Sequence, residues 1–504
     1  MIIGSLINLY LKARIQNVES FIETPIDTQQ RVLDYLVSVG KNTELGKKYD
    51  FASIQSYQDF SRNVPWVTYE DFEPLIERTR LGEKNIIWPT AIKWFAKSSG
   101  TTNAKSKFIP ISNESLENCH FKAGKDMLSL YIRNNPETKI FQGKALRLGG
   151  SQELHEAGVS RFGDLSAVII KNTPFWADIK SVPNREVSLM SDWEPKLKAI
   201  IEQVIKEDVR SMGGVPSWMM VLLNQILQET GKTTIAEVFP NLEVFFHGGI
   251  SFKPYAESYR EMIGKPINYC EIYNASEGFF ALQDTKETKE MLLLLDYGIF
   301  YEFIPMETFH SENPKIIPLE EVEIRKNYAL VITTNGGLWR YIIGDTVKFT
   351  SLIPYRIIVS GRTKHYINAF GEEIIIENAE EALHFACNAT QAKIKDYTAG
   401  PVYMKGKQSG AHEWIIEFEQ KPNDFEKFKF LLDEHLQSLN SDYEAKRYNN
   451  MTLNPPKIHI ARENLFFDWM KKKGKLGGQN KVPRLANTRE FLEPLLEMII
   501  SSSL

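Results

Sequence analysis

The sequence predicts an α/β protein with a largely parallel sheet, a β-rich stretch after it and a separate C-terminal tail. Three observations carry this. From residue 140 to 300, apolar strand-like runs alternate with helical patterns, as parallel sheets covered by helices require. Residues 298–360 then read as strand after strand with short turns between them. Near 361–366 the alternation restarts, which places a domain boundary there. A chain of 504 residues is also too long for one compact core, so two or more domains are the default.

Residues 1–60 read as helical, with apolar positions at helical spacing through Ile7, Leu11 and Ile15 and again through Val32, Tyr35 and Leu36. Asn42 and Thr43 break that pattern, and Pro65, Pro74 and Pro89 make 61–93 a run of short elements. WFAKSSGTTNAKSK (94–107) follows, and then a predicted helix over 113–133 that opens on Asn113 or Ser115. KALRLGG (144–150) and LSAVIIK (165–171) are predicted strands, and 192–210 and 217–230 are amphipathic helices. LEVFFHGGI (242–250) is an apolar run ending in two glycines, as a buried parallel strand does before its loop. INYCEIYNASEGFFAL (267–282) repeats the idea, with a polar turn inside it. In such sheets ligands bind beyond the carboxyl ends of the strands, where these turns fall.

GIFYEFIPM, VEIRKNYALVITTN, LWRYIIGDTVKFT and YRIIVSG make up the β-rich stretch. Beyond it the pattern predicts a helix from Ile374 to Phe385, strands over 401–404 and 413–419, a helix over 424–440 and a strand over 456–461. Asn423 and Glu426 form a capping-box pair for the second helix. Its apolar face through Phe425, Phe428, Leu432, Leu436 and Leu439 gives the tail a core of its own.

Composition removes several function classes. A net charge of −4 gives no basic footprint for nucleic acid, and no apolar run approaches a membrane span. The N-terminal MIIGSLINLYLKARIQNVESFI carries Lys12, Arg14 and Glu19 and no small-residue cleavage site, so it reads as a packing helix. Three scattered cysteines without a CxxC fit a reducing interior, and the expectation is a cytoplasmic protein. HExxH, GxSxG and a strand-borne GxGxxG are absent, and the histidines show no metal spacing. Thr230-Gly231-Lys232-Thr233 mimics the end of a Walker loop, but its earlier glycine position is Ile226.

What remains is a set of loops. SSGTT (98–102) combines small hydroxyl residues with a glycine and neighbouring lysines, the makings of a phosphate cradle. HGG (247–249), YNASEG (273–278), GLWRYIIGD (337–345), SGR (360–362) and GKLGGQNKVPR (474–484) accompany it. Each alone has a plain reading: Glu277 as a solvated carboxylate, Asp345 as a turn residue, Lys481 as one lysine of a polar tail. Together they supply what nucleotide chemistry needs. Glu277 is a carboxylate for Mg²⁺, which takes few protein oxygens alongside phosphate oxygens. Tyr273 offers an aromatic face for a base, and Asp345 and Arg362 offer hydrogen bonds to ribose hydroxyls. Lys481, in a glycine-rich segment, could bring charge to a reacting phosphoryl group.

The order SSGTT, YNASEGFF, YALVITTNGGLWRYIIGD, GR and GQNKVPR resembles the acyl-adenylate-forming superfamily. More narrowly it resembles the Gretchen Hagen family, the plant auxin- and jasmonate-conjugating acyl acid amido synthetases and their bacterial relatives. TELGKKY (43–49), GGS (149–151) and YEFIP (301–305) fall where that family has similar words, so the resemblance covers nearly the whole chain.

The resemblance implies a large multi-sheet α/β domain with a β subdomain over 1–362, and a small mobile α+β lid over 363–504. By motif match, Ser98, Ser99, Thr101 and Thr102 would bind ATP phosphates. Gly248 and Gly249 join the nucleotide site, Tyr273, Ser276 and Glu277 sit by adenine, α-phosphate and Mg²⁺, and Asp345 with Arg362 holds the ribose. Lys481 matches the C-terminal lysine that assists adenylation, which makes Lys481 and Glu277 the catalytic pair. TKHYINAFGEE after Arg362 departs from the plant hinge sequence, leaving Lys364 and the turn near Gly371 as hinge candidates.

The activity so implied is ATP-dependent conversion of a carboxylic acid to an acyl-AMP, then acyl transfer to an amine, an amino acid by family likeness. Coenzyme A as acceptor, giving a thioester, is the alternative, and a non-catalytic nucleotide-binding protein is a third. The partners are small-molecule acid and amine substrates, without nucleic acid or membrane. Phe121, Phe175, Trp176 and Trp218 are candidate acid-pocket aromatics.

Overall fold

The computed structural model describes residues 10, 14–98, 107–148, 155–157, 159–190, 193–286, 288–309, 311–363, 366–406, 408–472 and 482–501. The apolar runs in the middle of the chain form a parallel ladder. Asn268–Ala275, Val244–Gly248, Val209–Gly214, Lys144–Arg147 and Ser181–Val182 lie side by side in that order. Gly278–Leu282 folds back antiparallel on the first of these, and the β-rich stretch continues from it. Met291–Leu293, Tyr355–Arg362, Tyr341–Leu352, Asn327–Thr334, Ile299–Pro305 and Ile317–Pro318 complete a twelve-stranded sheet, parallel at one end and antiparallel at the other. A second sheet orders Lys107–Ile111, Trp94–Ser98, Ser160–Gly163 and His155–Ala157. The tail packs helices Ile376–Thr390 and Phe425–Leu439 with a three-stranded sheet of Lys393–Val402, Ala411–Gln420 and Lys457–Ile460. This is a mixed α/β fold with a large multi-sheet N-terminal part and a smaller C-terminal part.

Several elements differ from the sequence reading, each for a local reason. LSAVIIK lies in a helix, Leu165–Asn172, because a short apolar run has the same appearance in either structure. The pattern over 192–210 splits into a helix, Trp193–Val204, and the strand Val209–Gly214. Ser112, not Asn113 or Ser115, caps the next helical stretch, its hydroxyl accepting from the Ser115 N–H. Asp424, not Asn423, caps Phe425–Leu439 by accepting from the Lys427 N–H. Lys393–Val402 begins well before residue 401, hidden by its charged start and by Gly400 and Pro401 at its end.

One buried cluster seats the N-terminal helices on the antiparallel half, with Val18, Phe21, Leu33 and Leu36 against Tyr297, Ile299 and Tyr301. A second begins among Leu146, Ile200, Met219 and Phe245 and runs on through Phe370, Tyr397, Trp414 and Leu432 in the tail. The expectation of a core private to the tail holds only for the smaller cluster of Ile415, Leu465, Phe466 and Leu492. Two hydrogen bonds reinforce the shared surface: the Ser217 hydroxyl donates to the Phe370 carbonyl at 2.8 Å, and the Tyr255 hydroxyl to that of Ala369 at 2.6 Å. No helix of the described residues is long and apolar enough to cross a membrane.

Candidate functional site

Antiparallel pairing of Tyr341–Leu352 with Tyr355–Arg362 sets Asp345 directly opposite Arg362. A break in register against Asn327–Thr334 occurs just before Asp345, and Gly344 adopts φ +94°, a conformation that suits glycine. The Arg362 Nε donates to Asp345 Oδ1 at 2.9 Å, and its Nη2 donates to Glu373 Oε1 at 3.1 Å. The other Asp345 oxygen accepts from the Tyr273 hydroxyl at 2.6 Å. Tyr273 stands on Asn268–Ala275, with three strands between it and the strand of Asp345 in the sheet order, so the sheet curls to bring the two together. Burial works against the Arg362 charge, but Glu373 and Asp345 outweigh it and hold the guanidinium above its ordinary value.

Half of the GLWRYIIGD motif fastens this arrangement. The Trp339 Nε1 donates to the Ile87 carbonyl at 3.0 Å. Arg340 forks onto both oxygens of buried Glu302 at 2.8 and 2.9 Å and donates to the Ser61 and Val64 carbonyls. The Tyr341 hydroxyl is buried without a partner among the described residues, within electrostatic reach of Glu277.

Glu277 sits with Ser276 at the tip of the hairpin that Ala275 and Gly278 close. Its side chain is half-buried, and burial pushes its carboxyl up to about 7, with Lys107 pulling it down and Asp345 pushing it up. Lys107 shows the reciprocal pattern: burial lowers it, and Glu277 is the first of the charges that raise it. The Lys107 Nζ also lies 5.2 Å from the Tyr69 ring centre. Ser98, the first residue of SSGTT, pairs with Lys107 in one ladder, and Lys107 in turn faces Glu277. Ser99, Thr101, Thr102, Lys364 and Lys481 lie outside the described residues, as does the side chain of Ser98.

Gly248 ends a parallel strand so close to its neighbour that a Cβ there would collide with the Ile272 carbonyl oxygen. Gly249 follows at φ +83°. His247 before them stacks on Phe252 at 4.2 Å, and burial lowers its pKa to about 3, so it stays neutral. The structure thus brings Tyr273, Glu277, Asp345, Arg362 and Lys107, the strand partner of Ser98, together, with Gly248 and Gly249 on the next strand end. The sequence reading used Tyr273 for its ring, but the ring is 8% exposed and packed on Phe280 at 4.9 Å. Its hydroxyl is what meets Asp345. Glu373 and Tyr341 were missed, although both lie inside segments that the sequence singled out. Phe175 is exposed, Trp218 packs with the tail, Phe121 packs against the cluster under the N-terminal helices, and the Trp176 side chain lies outside the described residues.

Chemically, the cluster presents an under-neutralised carboxylate beside a lysine and a fixed Asp–Arg pair. The described residues contain no group of three or more His, Cys, Asp or Glu able to hold a metal. Glu277 offers one carboxylate, which fits a divalent ion that takes most of its remaining oxygens from phosphate and water.

The GH3 family N-terminal domain matches residues 14–267, its central domain 292–362 and its C-terminal domain 377–490. Indole-3-acetic acid-amido synthetase GH3.3 of Arabidopsis thaliana is 21% identical, over 94% of this chain and 91% of its own. Jasmonoyl--L-amino acid synthetase JAR4 of Nicotiana attenuata is 25% identical, over 64% of this chain and 66% of its own. Among solved structures, the GH3.15 acyl acid amido synthetase in complex with 2,4-DB superposes with a TM-score of 0.64 at 18% identity, covering 97% of this chain and 96% of that one. A 2-hydroxyisobutyryl-CoA ligase superposes with a TM-score of 0.58 at 14% identity, covering 95% and 92%.

Proposed function

The chain belongs to the GH3 family, and on that premise we propose that it activates a carboxylic acid with ATP and passes the acyl group to an amino acid as an amide. The observation that carries this reading is the meeting of Glu277 and Lys107 with the Tyr273–Asp345–Arg362 relay at one place. Asp345, fixed by Tyr273 and Arg362, presents a carboxylate edge suited to a ribose diol. The SSGTT segment, anchored through Ser98 and Lys107, takes the phosphates. Glu277 would hold Mg²⁺ against them. That ion would neutralise charge on the reacting phosphate. Residues 1–362 form the adenylation domain in this reading and 363–504 a lid that carries Lys481.

In the first half-reaction a carboxylate oxygen of the acid attacks the α-phosphorus. The bond to the β-phosphate bridge breaks, pyrophosphate leaves and acyl-AMP remains. Negative charge gathers at phosphorus, so Lys107 and Lys481 act by electrostatic stabilisation more than by proton transfer. In the second half the acceptor nitrogen attacks the acyl carbonyl, the bond to AMP breaks and the amine loses a proton. Labelled pyrophosphate exchange into ATP across a panel of acids tests the first half. Amide formation with amino acids, measured against thioester formation with coenzyme A, tests the second. Acid-independent or absent exchange would sink the reading, and thioester without amide would replace the acceptor.

A further inference from the structure

A buried lysine from the tail stands where the two parts of the chain meet, and nothing above uses it. Lys446, on the helix Ser441–Arg447, is 6% exposed. Its Nζ lies 4.4 Å from the ring centre of Trp218, on the helix that follows the parallel strand Val209–Gly214. Its Cε runs beside Gly371, where a Cβ would approach to 3.3 Å. The backbone of Ala369 and Phe370, just before that glycine, is tied to Tyr255 and Ser217 of the parallel half. Lys446 therefore belongs to the tail but is held over the large part, close to the Arg362–Glu373 pair.

Its electrostatic surroundings favour its charge but do not fully offset its burial. Four carboxylates face it: Asp442 on its own helix, Glu372 and Glu373 from the segment after Arg362, and Asp164 from the large part. None forms an ion pair with its Nζ among the described residues. Glu372 is committed elsewhere, accepting from His412 Nε2 at 2.8 Å and from the Phe370 N–H at 2.7 Å. Glu373 is engaged by Arg362 at 3.1 Å. Burial lowers the Lys446 pKa, the mark of an ammonium stripped of water without full compensation. The Trp218 face lies against the ammonium, and an arriving anion would add a direct partner.

We propose that Lys446, over Trp218 at the junction of the tail and the large part, holds the carboxylate of the amino-acid acceptor. This rests on the acyl-transfer reading above. After adenylation the acid has lost its free carboxylate to the mixed anhydride, and the nucleotide is provided for by Glu277, Lys107 and the Asp345–Arg362 pair. The acceptor brings the one remaining anionic group. Anchoring it by that group leaves its amine free to reach the acyl carbonyl.

The test compares alanine, leucine and phenylalanine, each against its own carboxamide, as acceptors for the full-length wild-type, K446Q and K446R proteins. The wild type is expected to prefer the free amino acid at least tenfold in kcat/KM. K446Q is expected to bring that preference within twofold through a raised amino-acid KM, and K446R to keep most of it. A preference unchanged in K446Q overturns the assignment. So does a K446Q defect confined to pyrophosphate exchange, which would mean that the lysine meets a phosphate. A wild-type protein that exchanges pyrophosphate but makes no amide with any amine overturns this assignment and the acceptor. One that does neither overturns the whole reading.

Discussion

Asp345 and Arg362 face one another across a single antiparallel ladder, joined by one Nε–Oδ1 hydrogen bond of 2.9 Å. Each has a further fixed partner, Tyr273 for Asp345 and Glu373 for Arg362. The carboxylate is thus held in a fixed orientation, and for the nucleotide site proposed above little ordering is left for binding to supply. Because Glu373 belongs to the segment that leads into the tail, the same arginine also connects Asp345 to that segment.

Replacing Asp345 by Asn keeps the shape and removes the charge. A hydrogen bond to a charged group contributes about 1.5–3 kcal/mol, so D345N should raise the KM for ATP in pyrophosphate exchange by roughly tenfold to a hundredfold. Y273F removes one of the two ties and leaves the charge paired with Arg362, so its rise should be smaller. Equal effects from the two variants would mean that Tyr273 touches the nucleotide itself.

Lys481→Ala should slow adenylation by about a hundredfold or more, the cost of one well-placed charge-stabilising donor. ATP binding measured at equilibrium should survive, because the expected role is confined to the developing charge. Normal acyl-AMP formation by K481A would show that Lys107, already beside Glu277, suffices alone.

The motifs were legible because glycines, hydroxyls and single charges stand out against apolar strands. Their meeting place was legible only through the family resemblance, since the pairing of Asp345 with Arg362 depends on a ladder register that no local pattern states. Tyr273 shows the limit most clearly. A tyrosine beside a glycine turn reads as an exposed aromatic face, whereas the curl of a twelve-stranded sheet buries the ring and turns its hydroxyl onto a residue 72 positions away. Lys446 was invisible for a related reason. Its burial comes from the packing of the tail on Trp218, and its own helix reads as an ordinary charged surface segment.

Glu302→Ala should be among the most damaging substitutions outside the cleft. The Arg340 and Glu302 side chains are 5% and 1% exposed, and Arg340 holds φ +43° in the middle of the GLWRYIIGD run. Removing the glutamate leaves a buried guanidinium with no carboxylate partner among the described residues, held by the Ser61 and Val64 carbonyls and the Phe60 ring. Breaking such a pair costs about 3–5 kcal/mol, readable as a shift of the urea midpoint at unchanged slope. A loss below about 1 kcal/mol would mean that water reaches the arginine.

Asp164 gives the protein a pH dependence with a definite sign. Burial first, and then repulsion from Asp442, push its carboxyl up to about 7 from an ordinary 3.8, with Lys446, Lys97 and Lys196 opposing. The folded state therefore holds this proton more tightly than the unfolded chain does, and stability falls as pH rises from about 4 to about 7. Above that window both states are ionised and the contribution is flat. D164N cannot titrate, so the thermal midpoint of the wild type relative to D164N should drop across the window and level off beyond it. The residue sits on the large part and faces Lys446 of the tail, so the drop should be smaller in K446R than in K446Q, where the opposing charge is gone. A midpoint difference independent of pH would place Asp164 in water, with its charge fully solvated.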